Sequence, residues 1–338
     1  MNEALLYQLI DQEKHIIQCR LCNHHCLIKD DHCGICQVRK NQGGRLFSLN
    51  YGRLVSQHID PIEKKPLFHF LPSSLSYSIA TVGCNFRCLH CQNYDISQYP
   101  RIHSDVFPGR FTTPSEVVSE TLRTNCQSIS YTYVEPTIFF EFALETARLA
   151  HEVGIKNVFV SNGYTSPEAT KMLAPFLDAN NIDLKAFTEK FYHEVCGAKL
   201  APVLNTIKLM HDLGVWIEIT TLIIPGWNDS ENELRDIANF IAAIDRNIPW
   251  HVTRFFPTYK MLNRMPTPVT TLKLAREIGL AAGLHFVYTG NIPGDDGDNT
   301  FCPNCQALLI ERTGFHATPS GIIAGACRFC RLPIPGIF

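Results

Sequence analysis

Three cysteines, Cys84, Cys88 and Cys91, stand as CxxxCxxC directly after the short apolar run Tyr77-Ser-Ile-Ala-Thr-Val-Gly83. Four thiolates complete the coordination of a [4Fe–4S] cluster, and this loop offers three. The remaining iron is an open Lewis-acidic position for a small chelating ligand. S-adenosylmethionine (SAM) meets that need, because its amino and carboxylate groups bind one iron together. An electron from the cluster then cleaves the sulfonium C–S bond and releases a 5′-deoxyadenosyl radical. The competing readings are a zinc knuckle or a chance group of core thiols. Zinc loops usually pair their cysteines as CxxC, and neither alternative accounts for the sequence downstream.

From the triplet onward the periodicity alternates between strand and helix. Strands are expected at 79–82, 128–133, 157–160, 181–184, 215–224 and 250–255, with a possible seventh at 285–288. Helices are expected at 114–123, 137–151, 166–176, 203–213, 231–244 and 270–282. The first helix opens with Thr113 as N-cap and Pro114 at its first position. Repeated βα units imply a parallel sheet with right-handed crossovers. The fold class expected is therefore α/β, a partial (β/α)6 TIM-type barrel with small Cys-rich metal-binding modules at both ends. Residues 1–77 form the N-terminal module and linker, 78–300 the barrel and 301–338 the C-terminal module. Active sites of such barrels lie at the C-terminal strand ends. There the cysteine loop meets Glu135, Ser161-Asn162-Gly163, Asp183, Lys185, Thr220, Thr221 and Arg254. Further rim candidates are Tyr94, Tyr288 and Asn291.

Twelve of the 14 cysteines fall in three tight groups, leaving Cys126 and Cys196 as isolated buried thiols. In a chain this long, with no export signal at its N-terminus, that grouping reads as metal binding in a reducing, cytoplasmic compartment. The first group, Cys19, Cys22, Cys26, Cys33 and Cys36, is joined by His24, His25 and His32, and holds either zinc or a cluster. An amphipathic helix over 4–17 precedes it, with Leu5, Leu6, Leu9 and Ile10 on one side. A hairpin over 46–58 and a Pro-punctuated linker over 60–72 follow it. The last group, Cys302-x2-Cys305 and Cys327-x2-Cys330, has zinc-ribbon form, and four thiolates leave such an ion no open position. The net charge of −2 supplies no global field for nucleic acid or an anionic membrane. No stretch is long and apolar enough to span a bilayer.

Cys84 to Cys91 followed by Gln92-Asn93 resembles the radical S-adenosylmethionine superfamily. Several stretches are similar, more narrowly, to the radical enzyme of the AmmeMemoRadiSam system, a family often labelled homologous to pyruvate formate-lyase activating enzyme. They are Asp60-Pro-Ile-Glu-Lys-Lys-Pro-Leu-Phe-His-Phe70, Thr81 to Cys88, Tyr131-Thr-Tyr-Val-Glu-Pro-Thr137, Trp250 to Pro257 and Cys302-Pro-Asn-Cys305. The resemblance covers nearly the whole chain. It implies Cys84, Cys88 and Cys91 as cluster ligands and Val134-Glu135-Pro136 as the element that receives the methionyl amino group. It implies Asp183 near the ribose or carboxylate end and Lys185 as carboxylate partner. It matches Ser161-Asn162-Gly163 to the activases' Thr-Asn-Gly, with Val160 where they often carry Asp, and sets His90 against the adenine. Cys33 falls where a basic or polar residue is expected, which makes Cys19, Cys22, Cys26 and Cys36 the N-terminal ligands. The expected cofactors are a [4Fe–4S] cluster, SAM and one or two structural zinc ions. The expected partners are a flavodoxin or ferredoxin as electron donor and Memo-like and AMMECR-like proteins. The alternatives are an activase that installs a glycyl radical and, more remotely, a zinc-ribbon RNA-binding or scaffold protein. The latter would need a basic stripe interleaved with aromatics, which only Arg20, Lys29, Arg39, Lys40 and Arg45 approach.

Overall fold

A computed structural model describes residues 2–103 and 107–338. Its centre is an eight-stranded sheet in sequential order: β1 (Ser56–Pro61), β2 (Leu75–Ala80), β3 (Ser128–Tyr131), β4 (Lys156–Ser161), β5 (Ala179–Asp183), β6 (Trp216–Ile223), β7 (Trp250–Arg254) and β8 (Val287–Gly290). From β2 to β8 every pairing is parallel, whereas β1 runs antiparallel to β2 with Ser56 opposite Ala80. Six helices make the crossovers: α1 (Pro114–Arg123), α2 (Phe140–Glu152), α3 (Pro167–Leu173), α4 (Leu200–Asp212), α5 (Glu231–Ile244) and α6 (Val269–Ala281).

Local chemistry sets these boundaries. Helix α1 starts in a capping box in which Thr113 Oγ1 accepts from the Glu116 amide and Glu116 accepts from the Thr113 amide at 2.7 Å. Ser166 and Ser230 cap α3 and α5 in the same sense. The helices bury one face each against the sheet. Ile79, Ile129, Phe159, Ile182, Ile219 and Val252 form the buried strand contribution to that core.

The opposite edge from the strand C-termini is closed by the linker and the C-terminal module. Glu218 of β6, fully buried, accepts from the Phe68 and His69 amides at 3.0 and 2.8 Å. It also bonds His251 Nε2 at 2.7 Å. Phe68 lies edge-on to His251 and Tyr288, with the Arg312 guanidinium 4.0 Å above its ring. Tyr288 therefore sits in this buried base, bonded to His69 and Thr300, and not on the rim.

Two local expectations fail at the N-terminus. Residues 4–17 form no helix; Tyr7–Asp11 and Ile16–Cys19 pair as a hairpin. Leu5, Leu9 and Ile10, the supposed buried stripe, are exposed, and Leu6 and His15 take positive φ, which ends helical continuity. The segment 46–58 is likewise no hairpin. Arg45–Ser48 pairs with Arg39–Gln42 around Gly43-Gly44, both at positive φ, the geometry of a two-residue primed turn. Arg53–Leu54 pairs instead with Arg110–Phe111, and Ser56–Pro61 is β1.

Candidate active site

Parallel strands bring every C-terminal end to one edge, and the loops after β2, β3, β4 and β5 meet there. Gly83, with φ near +103°, turns the chain out of β2; a Cβ at this position would lie 2.7 Å from Val38 Cγ1. The cysteine loop then docks by its backbone on a turn before α4. The Arg87 amide donates to Cys196 O at 2.9 Å and the Leu89 amide to Val195 O at 3.0 Å. Arg101 clasps the loop from outside, donating to Cys84 O at 3.1 Å and Phe86 O at 3.2 Å.

The three sulfurs are held but not consumed. The Phe86 amide donates to Cys84 Sγ at 3.5 Å, and Ser97 Oγ lies 3.2 Å from Cys91 Sγ. Burial pushes the Cys84 thiol up to about 12 and raises Cys91 as well. Cys88 is raised first by its hydrogen bond with Cys196 and then by burial. A bound metal takes the place of the proton and stabilises a thiolate in such surroundings. The donor set therefore fits an iron–sulfur cluster ligated by three cysteines.

Around this loop the expected residues take distinct positions. Glu135, 3% exposed, caps the Pro136–Phe139 turn. Its carboxylate, expected to receive a cofactor amine, accepts from the Thr137 amide at 3.1 Å, Thr137 Oγ1 at 2.6 Å, Ser161 Oγ at 2.9 Å and the Asn162 amide at 2.7 Å. Burial raises its pKa despite those donors. Its side chain thus ties the β3 and β4 loops together. Asn162 Nδ2 donates to Asn85 Oδ1 at 2.8 Å, which joins the β4 loop to the cysteine loop. Gly163 has positive φ, and an added Cβ would come within 2.9 Å of Ile182. Asp183 and Lys185 form an ion pair at 2.7 Å at the β5 end, with Lys185 the more buried partner. Burial opposes the Lys185 charge, but Asp183, Cys88 and Cys196 outweigh it and hold its pKa well above the usual range. His90 is buried, its pKa lowered to about 3 by burial and by Lys185, and its Nδ1 has no partner. Its ring centre lies 6.2 Å from that of Phe191. Of the other rim candidates, Tyr94 stacks on Tyr259 at 4.6 Å, Arg254 donates to the Thr267 carbonyl, and Asn291 donates to the Arg254 carbonyl at the end of β7.

Asn85 and Cys196 carry more of the site than their sequence positions advertise. Nothing in the CxxxCxxC spacing singles out Asn85, and Cys196, expected as an isolated buried thiol, is buried but lies against Cys88.

The other two cysteine groups differ in geometry. In the C-terminal module the four sulfurs of Cys302, Cys305, Cys327 and Cys330 lie within 4.8 Å of one another. Cys302 and Cys330 are 3.6 Å apart, and Cys305 and Cys327 3.7 Å. A tetrahedral ion with sulfur ligands at about 2.3 Å has an edge of about 3.8 Å, so this set can hold a single ion. Both knuckles repeat one backbone pattern: the Gln306 amide donates to Cys302 O and the Arg331 amide to Cys327 O, each at 2.9 Å. At the N-terminus, Cys19, Cys22, Cys26 and Cys36 line one cavity, of which Cys33 is not a wall.

An open, mainly parallel α/β sheet with a three-cysteine loop on its C-terminal edge defines a radical-chemistry enzyme. The chain belongs to the radical SAM superfamily, whose profile matches residues 78–241. It is 48% identical to the uncharacterized protein MJ0808 of Methanocaldococcus jannaschii over 94% of this chain and 93% of that one. It is 25% identical to the pyruvate formate-lyase-activating enzyme of Clostridium pasteurianum, over 54% of this chain and 77% of that one. Among solved structures it resembles Streptococcus suis SuiB bound to S-adenosylmethionine, with a TM-score of 0.51 at 15% identity, covering 68% of this chain and 52% of that one. The chain is thus an enzyme of a superfamily that uses a [4Fe–4S] cluster and SAM, with activating-enzyme homologues. No described helix is long and apolar enough to cross a membrane.

Proposed function

We propose that this chain cleaves SAM reductively and uses the product radical to take hydrogen from a substrate at the strand-end rim of a partial (β/α)6 barrel. The observation that carries this reading is the meeting of Cys84, Cys88 and Cys91 with the Asp183–Lys185 pair and the Asn85–Asn162 link on one edge. When bound, the cluster supplies one electron and an open iron for the amino and carboxylate groups of SAM.

The chain's own residues do the rest. Cys84, Cys88 and Cys91 hold the three cysteine-ligated irons. Lys185, kept protonated by Asp183, would face the cofactor's carboxylate, and Asp183 would lie near its ribose or carboxylate end. His90, neutral and buried, backs the adenine. Glu135 acts through position: its carboxylate sets the Val134-Glu135-Pro136 backbone and the Asn162-Gly163 turn that line the cofactor. The C-terminal cysteines hold zinc, which clamps the module over the base of the sheet. Single electrons come from a flavodoxin- or ferredoxin-class donor.

Homology to activating enzymes supports one second reading, transfer of the hydrogen-abstracting step to a glycyl residue of a partner enzyme. The sequence resemblance to the AmmeMemoRadiSam system favours Memo-like and AMMECR-like proteins as companions. The test is anaerobic reconstitution with iron and sulfide, reduction with dithionite in the presence of added SAM, and assay for 5′-deoxyadenosine. The expected result is production by the wild type and none by Cys84→Ala/Cys88→Ala/Cys91→Ala. A reconstituted wild type that makes no 5′-deoxyadenosine overturns the proposal.

A further inference from the structure

Four of the N-terminal cysteines line one cavity at the back of the Cys84 loop. Cys19, Cys22, Cys26 and Cys36 are walls of this cavity, together with Ile28, Ile138 and Thr137. Among the described residues, the set of three or more metal-binding groups that closes within 4.8 Å is the C-terminal one. No three of the N-terminal sulfurs close within that span, so as a set they are wider than the edge of about 3.8 Å that a tetrahedral zinc imposes. A cubane cluster separates its thiolates in this way, because iron and sulfide lie between them.

The walls also offer what such a cluster accepts. Arg39 and Asn85, 2% and 1% exposed, both line the cavity. Among the described residues, each leaves a buried N–H without a partner: Nε of Arg39 and Nδ2 of Asn85. The remaining Arg39 nitrogens are taken by Glu141, at 2.9 and 2.7 Å, and by Leu5 O. An orphaned buried donor is costly, and a hydrogen bond to a cluster sulfur would satisfy it while tuning the cluster's potential.

We propose that Cys19, Cys22, Cys26 and Cys36 hold a second [4Fe–4S] cluster, fully ligated by cysteine, against the back of the Cys84 loop. The two sites share walls. Asn85 presents its Oδ1 to Asn162 and, at 3.9 Å, to Cys84 Sγ, while the same side chain borders the N-terminal cavity. Arg101 Nη2 donates both to Ile35 O at 2.8 Å and to Cys84 O at 3.1 Å. His24 Nε2 lies 2.9 Å from Asn85 O. This arrangement lets the second cluster relay single electrons. A reduced flavodoxin- or ferredoxin-class donor loses one electron, the Cys84 cluster gains it, and the N-terminal cluster returns to its starting state.

The test is metal and sulfide analysis of the full-length protein, reconstituted anaerobically with iron, sulfide and zinc, followed by EPR after dithionite reduction. The wild type should hold about eight irons and about eight sulfides with about one zinc. Cys84→Ala/Cys88→Ala/Cys91→Ala should keep about four irons and a reduced-cluster EPR signal. A wild type with about four irons and about two zinc ions, with iron abolished in the triple variant, overturns the proposal without any appeal to the variant's stability. Failure of the Cys84 reading looks different, because the iron count would then be the same in both proteins.

Discussion

Glutamine at position 135 separates a positioning role for Glu135 from direct contact with the cofactor. Glu135→Gln keeps the shape and one acceptor oxygen and turns the other into an N–H₂ group. Oε2 now accepts from the Asn162 amide at 2.7 Å, while Oε1 serves Thr137 and Ser161. With the amide nitrogen in the Oε2 position, donor faces donor at Asn162. Loss of a hydrogen bond to a charged group costs about 1.5–3 kcal/mol and a stranded buried N–H about 1–3 kcal/mol. The two overlap, and burial already penalises the carboxylate, as its raised pKa records, so the net expectation is about 2 kcal/mol. The assay is urea unfolding of the metal-free protein, followed by tryptophan fluorescence. At an m-value of about 3 kcal/mol/M, the midpoint should fall by about 0.7 M. The reasoning is refuted if the midpoint is unchanged while SAM affinity in the reconstituted protein drops tenfold, because the carboxylate would then meet the cofactor and not the loop.

Other outcomes follow from the same geometry. Glu141→Ala strands the Arg39 charge in a pair whose members are each 2% exposed. It should cost about 3–5 kcal/mol and open residues 2–48 to hydrogen exchange, whereas unchanged protection there would contradict the packing. His69 is fully buried, with Nδ1 bonded to Pro335 O at 2.7 Å and Nε2 to the Tyr288 hydroxyl at 2.6 Å, and burial lowers its pKa to about 4. A base with a depressed folded pKa contributes stability that is present above about 6.5 and lost as pH falls toward 4, up to about 3 kcal/mol at about 1.36 kcal/mol per unit. The melting temperature of the wild type should therefore fall more steeply between pH 6.5 and 5 than that of His69→Gln; parallel curves would refute it. Cys327→Ser should remove about one zinc and expose residues 301–338 to protease while leaving iron content unchanged. Loss of iron in that variant would mean the C-terminal set serves a cluster.

The sequence announced the parallel βα core well, because each unit carries its own punctuation. Thr113-Pro114, Ser166-Pro167 and Ser230 mark helix starts that the structure reproduces to within a residue. It also placed the cysteine loop, Glu135, Asn162, Asp183 and Lys185 on one edge, since a parallel sheet leaves them no other place. It was least legible where residues are few and pairing is nonlocal. Leu5, Leu6, Leu9 and Ile10 have helical spacing, yet a run this short cannot support an isolated helix against strand pairing. Gly43-Gly44 was the overlooked hairpin signal. Arg110–Phe111 reaches back to Arg53–Leu54 across half a domain, a contact that no local pattern encodes. Asn85 and Cys196 act through neighbours distant in sequence, and spacing alone gave them no role.

The open iron is tested most directly by adding SAM to the dithionite-reduced, reconstituted protein and recording its EPR spectrum. A cluster held by Cys84, Cys88 and Cys91 alone should change its g-values when the amino and carboxylate groups bind, and that change should vanish in the triple alanine variant. A reduced-cluster spectrum identical with and without SAM would contradict the account.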